Sequence, residues 1–166
     1  MSQNLAPAKS RKIKDVDLPP QAKWNGNPDA FFGTEVRWAS CCYKDDKRFN
    51  RLYLLVCQAV NELVSGFEFN AITVNYINSP NNHIHEHVDD NVGLSLTFAV
   101  GNYEGGKLSF RHADGFHPYD INGKIIQYDG AKPHRVEPLV YDAGYRPARY
   151  SFVIYKIDKT KRRRKA

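Results

Sequence analysis

Cysteine is scarce in this chain, three in 166 residues, too few for a disulfide framework. Cys41 and Cys42 are adjacent, a poor geometry for pairing with each other, and Cys57 falls in an apolar helical pattern. An intracellular, reducing setting is expected. Long apolar runs are missing too. The longest candidate, residues 52–57, is far short of the ~20 that a membrane span needs, so no membrane partner is expected. The first twenty residues mix Lys, Arg and Pro without an apolar stretch, which argues against a secretory signal. There is no internal repeat. What is present suits one ordered domain with a real core: 42% hydrophobic and 13% aromatic residues, with 11 Gly and 9 Pro for many turns.

Net positive charge is missing from the body of the chain, although the total is +6. Residues 1–14 carry +4 through Lys9, Arg11, Lys12 and Lys14, and residues 158–166 carry +5, leaving −3 for 15–157. Basic ends favour phosphate backbones through counterion release, so nucleic acid, DNA or RNA, is the expected partner. A solvated terminus without a partner is the plain alternative. The ending KTKRRRKA also reads as a nuclear address if the host is eukaryotic. The organisation expected is an irregular basic leader over 1–28, a folded domain over 29–157 and a basic tail over 158–166.

Within the domain a first short strand is expected near 31–38. The apolar positions Phe49, Leu52, Leu55, Val56, Ala59, Val60 and Leu63 recur at three and four, predicting an amphipathic helix within 46–65 that stops at Gly66. After Gly66 the texture turns to short strands, expected at 69–77, 83–89, 94–100, 107–111, 117–121, 124–129, 134–140 and 149–157. Asn122-Gly123 between two of them predicts a hairpin. Eight strands and tight turns after one or two helices predict a mainly β (α+β) fold, a double-stranded β-helix of jelly-roll or cupin type.

The chemistry concentrates in His83-Ile84-His85-Glu86-His87-Val88-Asp89-Asp90. Residues two apart on a strand share a face, so His87 and Asp89 point together, with His83 and His85 as rival ligands. His134 opens a later strand after the turn 129–133. His-x-Asp with a distant His is the two-His-one-carboxylate set that holds Fe(II) on one face and leaves three positions free. A zinc site, or polar residues on an exposed strand, is the competing account. Arg149 opens the last strand fifteen positions on, with Ser151 on its face. A guanidinium grips a carboxylate bidentately, which suits the distal carboxylate of a 2-oxoacid.

Residues 75–115 resemble the AlkB family of Fe(II)/2-oxoglutarate dioxygenases in Val74-Asn75-Tyr76, in 82–90, in Leu94-Ser95-Leu96-Thr97-Phe98 and in Leu108-Ser109-Phe110-Arg111-His112. The ending, His134, Pro147 and then Arg149-Tyr150-Ser151-Phe152-Val153-Ile154-Tyr155, is more similar to the TET/J-binding-protein branch of that superfamily. The resemblance implies Fe(II) on His87, Asp89 and His134, with O2 and 2-oxoglutarate as co-substrates. Arg149 and Ser151 would take the far carboxylate, and Asn75 or Tyr76 would help hold the co-substrate. Such enzymes couple oxidation of 2-oxoglutarate to succinate with hydroxylation of a substrate C–H. Both branches act on nucleobases, which implies hydroxylation of a methyl group on a 5-methylpyrimidine or N-methyl base.

Several positions depart from these families. The later Asn and Arg of the AlkB ending are replaced by Ser151 and Tyr155, and the base-contacting His of the TET-like branch by Ile157. Asn91 stands one position before that branch's base-contacting Asn. An enzyme on a paired base must extrude it or use single strands, and Trp38, Tyr43, Tyr103 and Phe116 are the stacking candidates by loop position. Hydroxylation of a protein side chain or small metabolite is the alternative, although the Lys of the prolyl-hydroxylase pattern is replaced by Gly144. A non-catalytic nucleic-acid-binding β domain is the third reading. Arg146 is the reserve for Arg149.

Overall fold

A computed structural model describes residues 37–43, 51–79, 83–140, 147–158 and 160. In chain order these form β1 (Arg37–Tyr43), α1 (Arg51–Leu63), β2 (Ala71–Ile77), β3 (Ile84–His87), β4 (Leu94–Asn102), β5 (Leu108–His112), β6 (Gly115–Tyr119), β7 (Ile126–Asp129), β8 (His134–Val136) and β9 (Ala148–Tyr155). The leader, the tail beyond Thr160, Gly144 and Arg146 lie outside the described residues. The first strand runs later than the expected 31–38, and residues 31–36 are also outside.

Two antiparallel sheets result, ordered β1-β2-β9-β4-β7 and β3-β8-β5-β6. Chain neighbours fall in different sheets, as β2 and β3, β3 and β4, and β6 and β7 do, which is the jelly-roll arrangement the strand texture predicts. One core lies between the sheets: Ile77, Ala99, Tyr103, Leu108, Ile121, Val136 and Leu139, with Ile84, Phe110 and Ile126 against it. A second lies under the helix, where Val56 and Val60 meet Ile72, Val74, Leu96 and Ile154. Alternation along β4 and β9 sorts these contacts. Leu96 pairs with Ile154 on the helix side, while Ala99 pairs with Ser151 on the inner side.

The sequence pattern needs two corrections here. The buried stripe of α1 is Val56 and Val60, continued by half-buried Val64 just past its end, whereas Leu55 and Leu63 are exposed. Asn122-Gly123 does not close a hairpin, because β6 pairs with β5 and β7 pairs with β4. The turn instead carries the chain from one sheet to the other. Asn122 bridges Ala99 in parallel, and the Gly123 amide donates to the Ala99 carbonyl. Its φ of 65° is the left-handed conformation that made the dipeptide look like a hairpin turn.

Ile154→Ala removes a fully buried side chain from between helix and sheet and should cost about 2–5 kcal/mol in denaturant unfolding. Leu63→Ala, at an exposed position, should change stability by less than about 0.5 kcal/mol.

Candidate active site

Pairing of β3 with β8 sets His87 opposite His134 and Ile84 opposite Val136. Three steps along one strand match two along the other, so β3 carries a bulge with one extra residue. That extra residue decides which histidine is used. Strict alternation sends Ile84 and His87 to opposite faces; the bulge brings both inward, Ile84 to the core and His87 to His134. His83 and His85 pack on each other instead, rings 4.4 Å apart, and are not among the clustered ligand atoms.

His87, Asp89 and His134 each offer a ligand atom within 4.8 Å of the others. Asp89 Oδ1 is 3.7 Å from His87 Nε2, and Oδ2 is 3.5 Å from His134 Nε2. Each imidazole is pinned by the carbonyl two residues upstream: His87 Nδ1 lies 2.8 Å from the His85 oxygen, His134 Nδ1 2.7 Å from that of Lys132. A carbonyl only accepts, so both Nδ1 atoms carry a proton, and Nε2 is the nitrogen that each ring turns toward Asp89. Burial works against protonation of His134, but hydrogen bonds to Asp89 and to the Lys132 carbonyl and the Asp89 charge raise its pKa above the ordinary value.

The donor set fits a divalent cation. Among the described residues no fourth His, Cys, Asp or Glu joins the group, whereas a structural zinc site would be closed by four. His134 is buried, while the side chains of His87 and Asp89 keep 40% and 26% of their exposure. One side of the site therefore stays open.

Asp89 sits just past the end of β3, its amide bonded to the Gly130 carbonyl at 2.8 Å. A Cβ on Gly130 would lie 3.1 Å from Asp89 Cβ and 3.2 Å from Oδ2, so the turn before His134 needs a bare α-carbon against the carboxylate. Two more side chains reach Asp89 Oδ2, Asn91 through Nδ2 and Tyr128 through its hydroxyl, each at 3.4 Å. Burial, then the Asp89 charge, pushes the Tyr128 hydroxyl well above the usual phenol range, so it stays protonated.

Arg149 is fully buried. Its Nη1 donates to Ser151 Oγ at 2.9 Å, and the guanidinium carbon lies 5.6 Å from the Tyr103 ring centre. No carboxylate among the described residues pairs with it, and its Nε has no hydrogen-bond partner there. Burial lowers its pKa while Tyr103 holds it up. An uncompensated buried cation is costly, and an incoming carboxylate is the group that relieves it. The backbone makes room for the side chain, since a Cβ on Gly106 would come within 2.9 Å of Arg149 Cδ.

Strand register places the remaining expected residues. On β2, Asn75 pairs with Ser151 and Ile77 with Arg149, so Asn75 shares their inner face. Tyr76 does not. It pairs with Tyr150 on the helix-side face, rings 4.7 Å apart, where burial and then Tyr150 push its hydroxyl to about 12. Asn91 is engaged with Asp89 and, at 3.0 Å, with Ser95 Oγ. Tyr103 is a buried member of the inner core rather than an exposed loop ring. Phe116 pairs with Arg111 across the β5–β6 hairpin and lies under two guanidinium groups, Arg111 at 4.5 Å and Arg135 at 3.8 Å, on the face away from His134. Trp38 and Tyr43 lie on β1, with side chains outside the described residues. Sequence reasoning missed Tyr128 and Gly130. Alternation on β7, which turns Tyr128 inward with Ile126, was the available signal for the first.

No family model matches the chain, and no curated protein does. Solved structures do. An oxidoreductase of the 2OG-Fe(II) oxygenase family from Burkholderia pseudomallei is 12% identical, covering 73% of this chain and 71% of its own, with a TM-score of 0.53. A Pseudomonas putida prolyl-4-hydroxylase is 15% identical over 74% of this chain and 73% of its own, at 0.42. A Trichoplax adhaerens prolyl hydroxylase in complex with a hypoxia inducible factor oxygen degradation domain peptide fragment is 15% identical over 79% and 68%, at 0.49. The first of these and this chain share a jelly-roll fold. The likeness gives neither the AlkB nor the TET/J-binding-protein branch.

His134→Ala should abolish Mn(II) binding in an electron paramagnetic resonance titration. Gly130→Ala, which crowds Asp89 by a few tenths of an ångström, should weaken Mn(II) about tenfold, as loss of a metal site's outer support does. Unchanged affinity in both variants would remove the metal from this cluster.

Proposed function

We propose that this protein is an Fe(II)/2-oxoglutarate-dependent dioxygenase that hydroxylates an aliphatic carbon of a protein side chain. The observation that carries the oxygenase reading is the meeting of His87, Asp89 and His134 inside a jelly roll that also buries Arg149, which has no carboxylate partner among the described residues. His87 and His134 would bind Fe(II) through Nε2, with Asp89 as the third ligand. Arg149, with Ser151 and Asn75 on the same face, would orient 2-oxoglutarate by its far carboxylate. Bound Fe(II) supplies activation of O2 with the electrons of 2-oxoglutarate, which leaves as succinate and carbon dioxide. The chain's own contribution is to keep both imidazoles in the metal-binding tautomer, to hold Tyr128 protonated and to exclude water from Arg149.

The substrate class follows from what surrounds the open side. Neither described aromatic nominated for base stacking is free for it, since Tyr103 is core and Phe116 lies beneath two arginines. The exposed residues flanking Asp89 and Asn91 are Val88, Asp90 and Val92, two aliphatics and an acid. Arg111, Arg135, Lys124 and Lys156 are each in an ion pair, with Glu86, Glu137, Asp120 and Glu68, which dulls their pull on phosphate. These features support a polypeptide. The basic ends support the second reading, hydroxylation of a methyl group on a nucleobase, with nucleic acid as partner.

Both readings are tested with Fe(II), ascorbate and 2-oxoglutarate, offering a peptide library beside methylated oligonucleotides and scoring gain of one oxygen by mass spectrometry. Oxygen on peptide side chains is expected; oxygen on oligonucleotides alone would instate the nucleobase reading. Anaerobic Fe(II) with 2-oxoglutarate should give a weak metal-to-ligand absorption band, and its absence would end the oxygenase reading. Arg149→Ala should raise the 2-oxoglutarate requirement at least about tenfold, as loss of a buried charged hydrogen-bond partner does, with metal still bound.

A further inference from the structure

The geometry points to Arg111 as a positioning residue that selects the register of β3: by tying Glu86 to the outer face of the sheet it keeps His87 turned inward. The inference rests on the metal-site reading above and adds to it the contact that decides which residue of β3 faces His134.

Arg111 stands on β5, two strands away from β3 in the order β3-β8-β5-β6. Its Nε donates to Glu86 Oε1 at 2.6 Å and its Nη2 to Oε2, a bidentate pair. Its amide donates to the Pro133 carbonyl at 2.9 Å. Glu86 precedes His87 and Pro133 precedes His134, so one residue holds the chain neighbour of each imidazole. The guanidinium is steadied on Phe116, its pairing partner on β6, at 4.5 Å from the ring centre. Arg135, on the strand between, is engaged elsewhere. It lies 3.8 Å from the same ring, and its Nε and Nη2 are each 3.0 Å from Glu137 Oε1.

The register of β3 gives this pair its consequence. Ile84 pairs with Val136 and His87 with His134, which leaves His85 and Glu86 opposite Arg135 alone. Without the bulge, strict alternation from Ile84 would turn Glu86 inward and His87 outward. A carboxylate gripped by Arg111 on the outer face cannot make that turn. The strand has little else to hold it, being four residues long and at the edge of its sheet, paired with β8. Arg111 and Glu86 keep 50% and 37% of their side-chain exposure, and an ion pair so placed contributes little to global stability. Its effect falls on the choice between two registers of one short strand.

The test compares the full wild-type chain with Arg111→Ala, Arg111→Lys and a control, Lys156→Ala, which breaks a different surface pair with Glu68. Mn(II) affinity is read by electron paramagnetic resonance and fold stability by the thermal midpoint. Amide hydrogen exchange of residues 84–87 in metal-free protein reads the strand itself. In Arg111→Ala, Mn(II) should weaken about tenfold and exchange in β3 should quicken, with the thermal midpoint within about 4 °C of wild type. Arg111→Lys keeps the charge without the fork and should recover part of the lost affinity. Lys156→Ala should bind Mn(II) as wild type does. Wild-type Mn(II) affinity in Arg111→Ala would overturn the inference, as would weaker binding with a midpoint lowered beyond that range, the mark of a purely structural role. Exchange needs no metal, so the two failures separate. Wild-type protein that takes up no Mn(II) counts against the metal site, and unchanged exchange in β3 counts against the role of Arg111.

Discussion

The pairing of His87 with His134 across β3 and β8 is the constraint on which the site depends. It is a backbone arrangement first and a chemical one second. The bulge in β3 turns His87 inward, and each imidazole is then fixed by a carbonyl of its own strand entry, His85 or Lys132. Orientation and tautomer are thereby decided locally, before any cation arrives. Asp89 completes the cluster from the segment just beyond β3, held against Gly130 in the turn that leads to His134. Three ligands from two stretches of chain are thus brought together by one strand pair, the economical way to build a site whose other side must stay open.

Arg149 is where local stability gives way to function. A guanidinium with no exposure, no carboxylate partner among the described residues and a bare Nε conflicts with every other choice in the inner core, where Ile77, Leu108, Ile121 and Leu139 are simply apolar. Such conflicts in an otherwise consistent fold mark functional positions. The backbone accommodates this one at Gly106, whose missing Cβ leaves space for the arginine stem, and at Ser151, whose hydroxyl takes one of its five protons.

The clustering of His87, Asp89 and His134 was legible in the sequence because its signals are local. His-x-Asp before a strand-rich region, a His after a Gly–Pro turn and an Arg opening a strand need only a period of two and a turn rule. Faces across the sheet were harder. Asn75 and Tyr76 are adjacent, and only the pairing with Ser151 and Tyr150 tells which one turns inward. Phe116 has the appearance of a loop aromatic until β6 is seen to pair with β5, which turns its ring under Arg111 and Arg135. Asn122-Gly123 has the chemistry of a tight turn in either topology, so it located the turn correctly and its partner strand wrongly. Tyr128 belongs to the site through a contact thirty-nine residues away in sequence, beyond the reach of any short motif.

The substrate argument turns on the difference between charge that is present and charge that is available. The chain is basic as a whole, yet the described body pairs Arg111, Arg135, Lys124 and Lys156 with acids, and surface pairs of this kind give little stability while they shield their partners. Phosphate recognition through those four cations would have to break their pairs; recognition by the ends would not. A polypeptide asks less of the same surface. Its backbone carries no net charge, so its approach calls for no free cation. Under the proposed reading the basic ends would be a separate attachment and need not touch the reacting carbon.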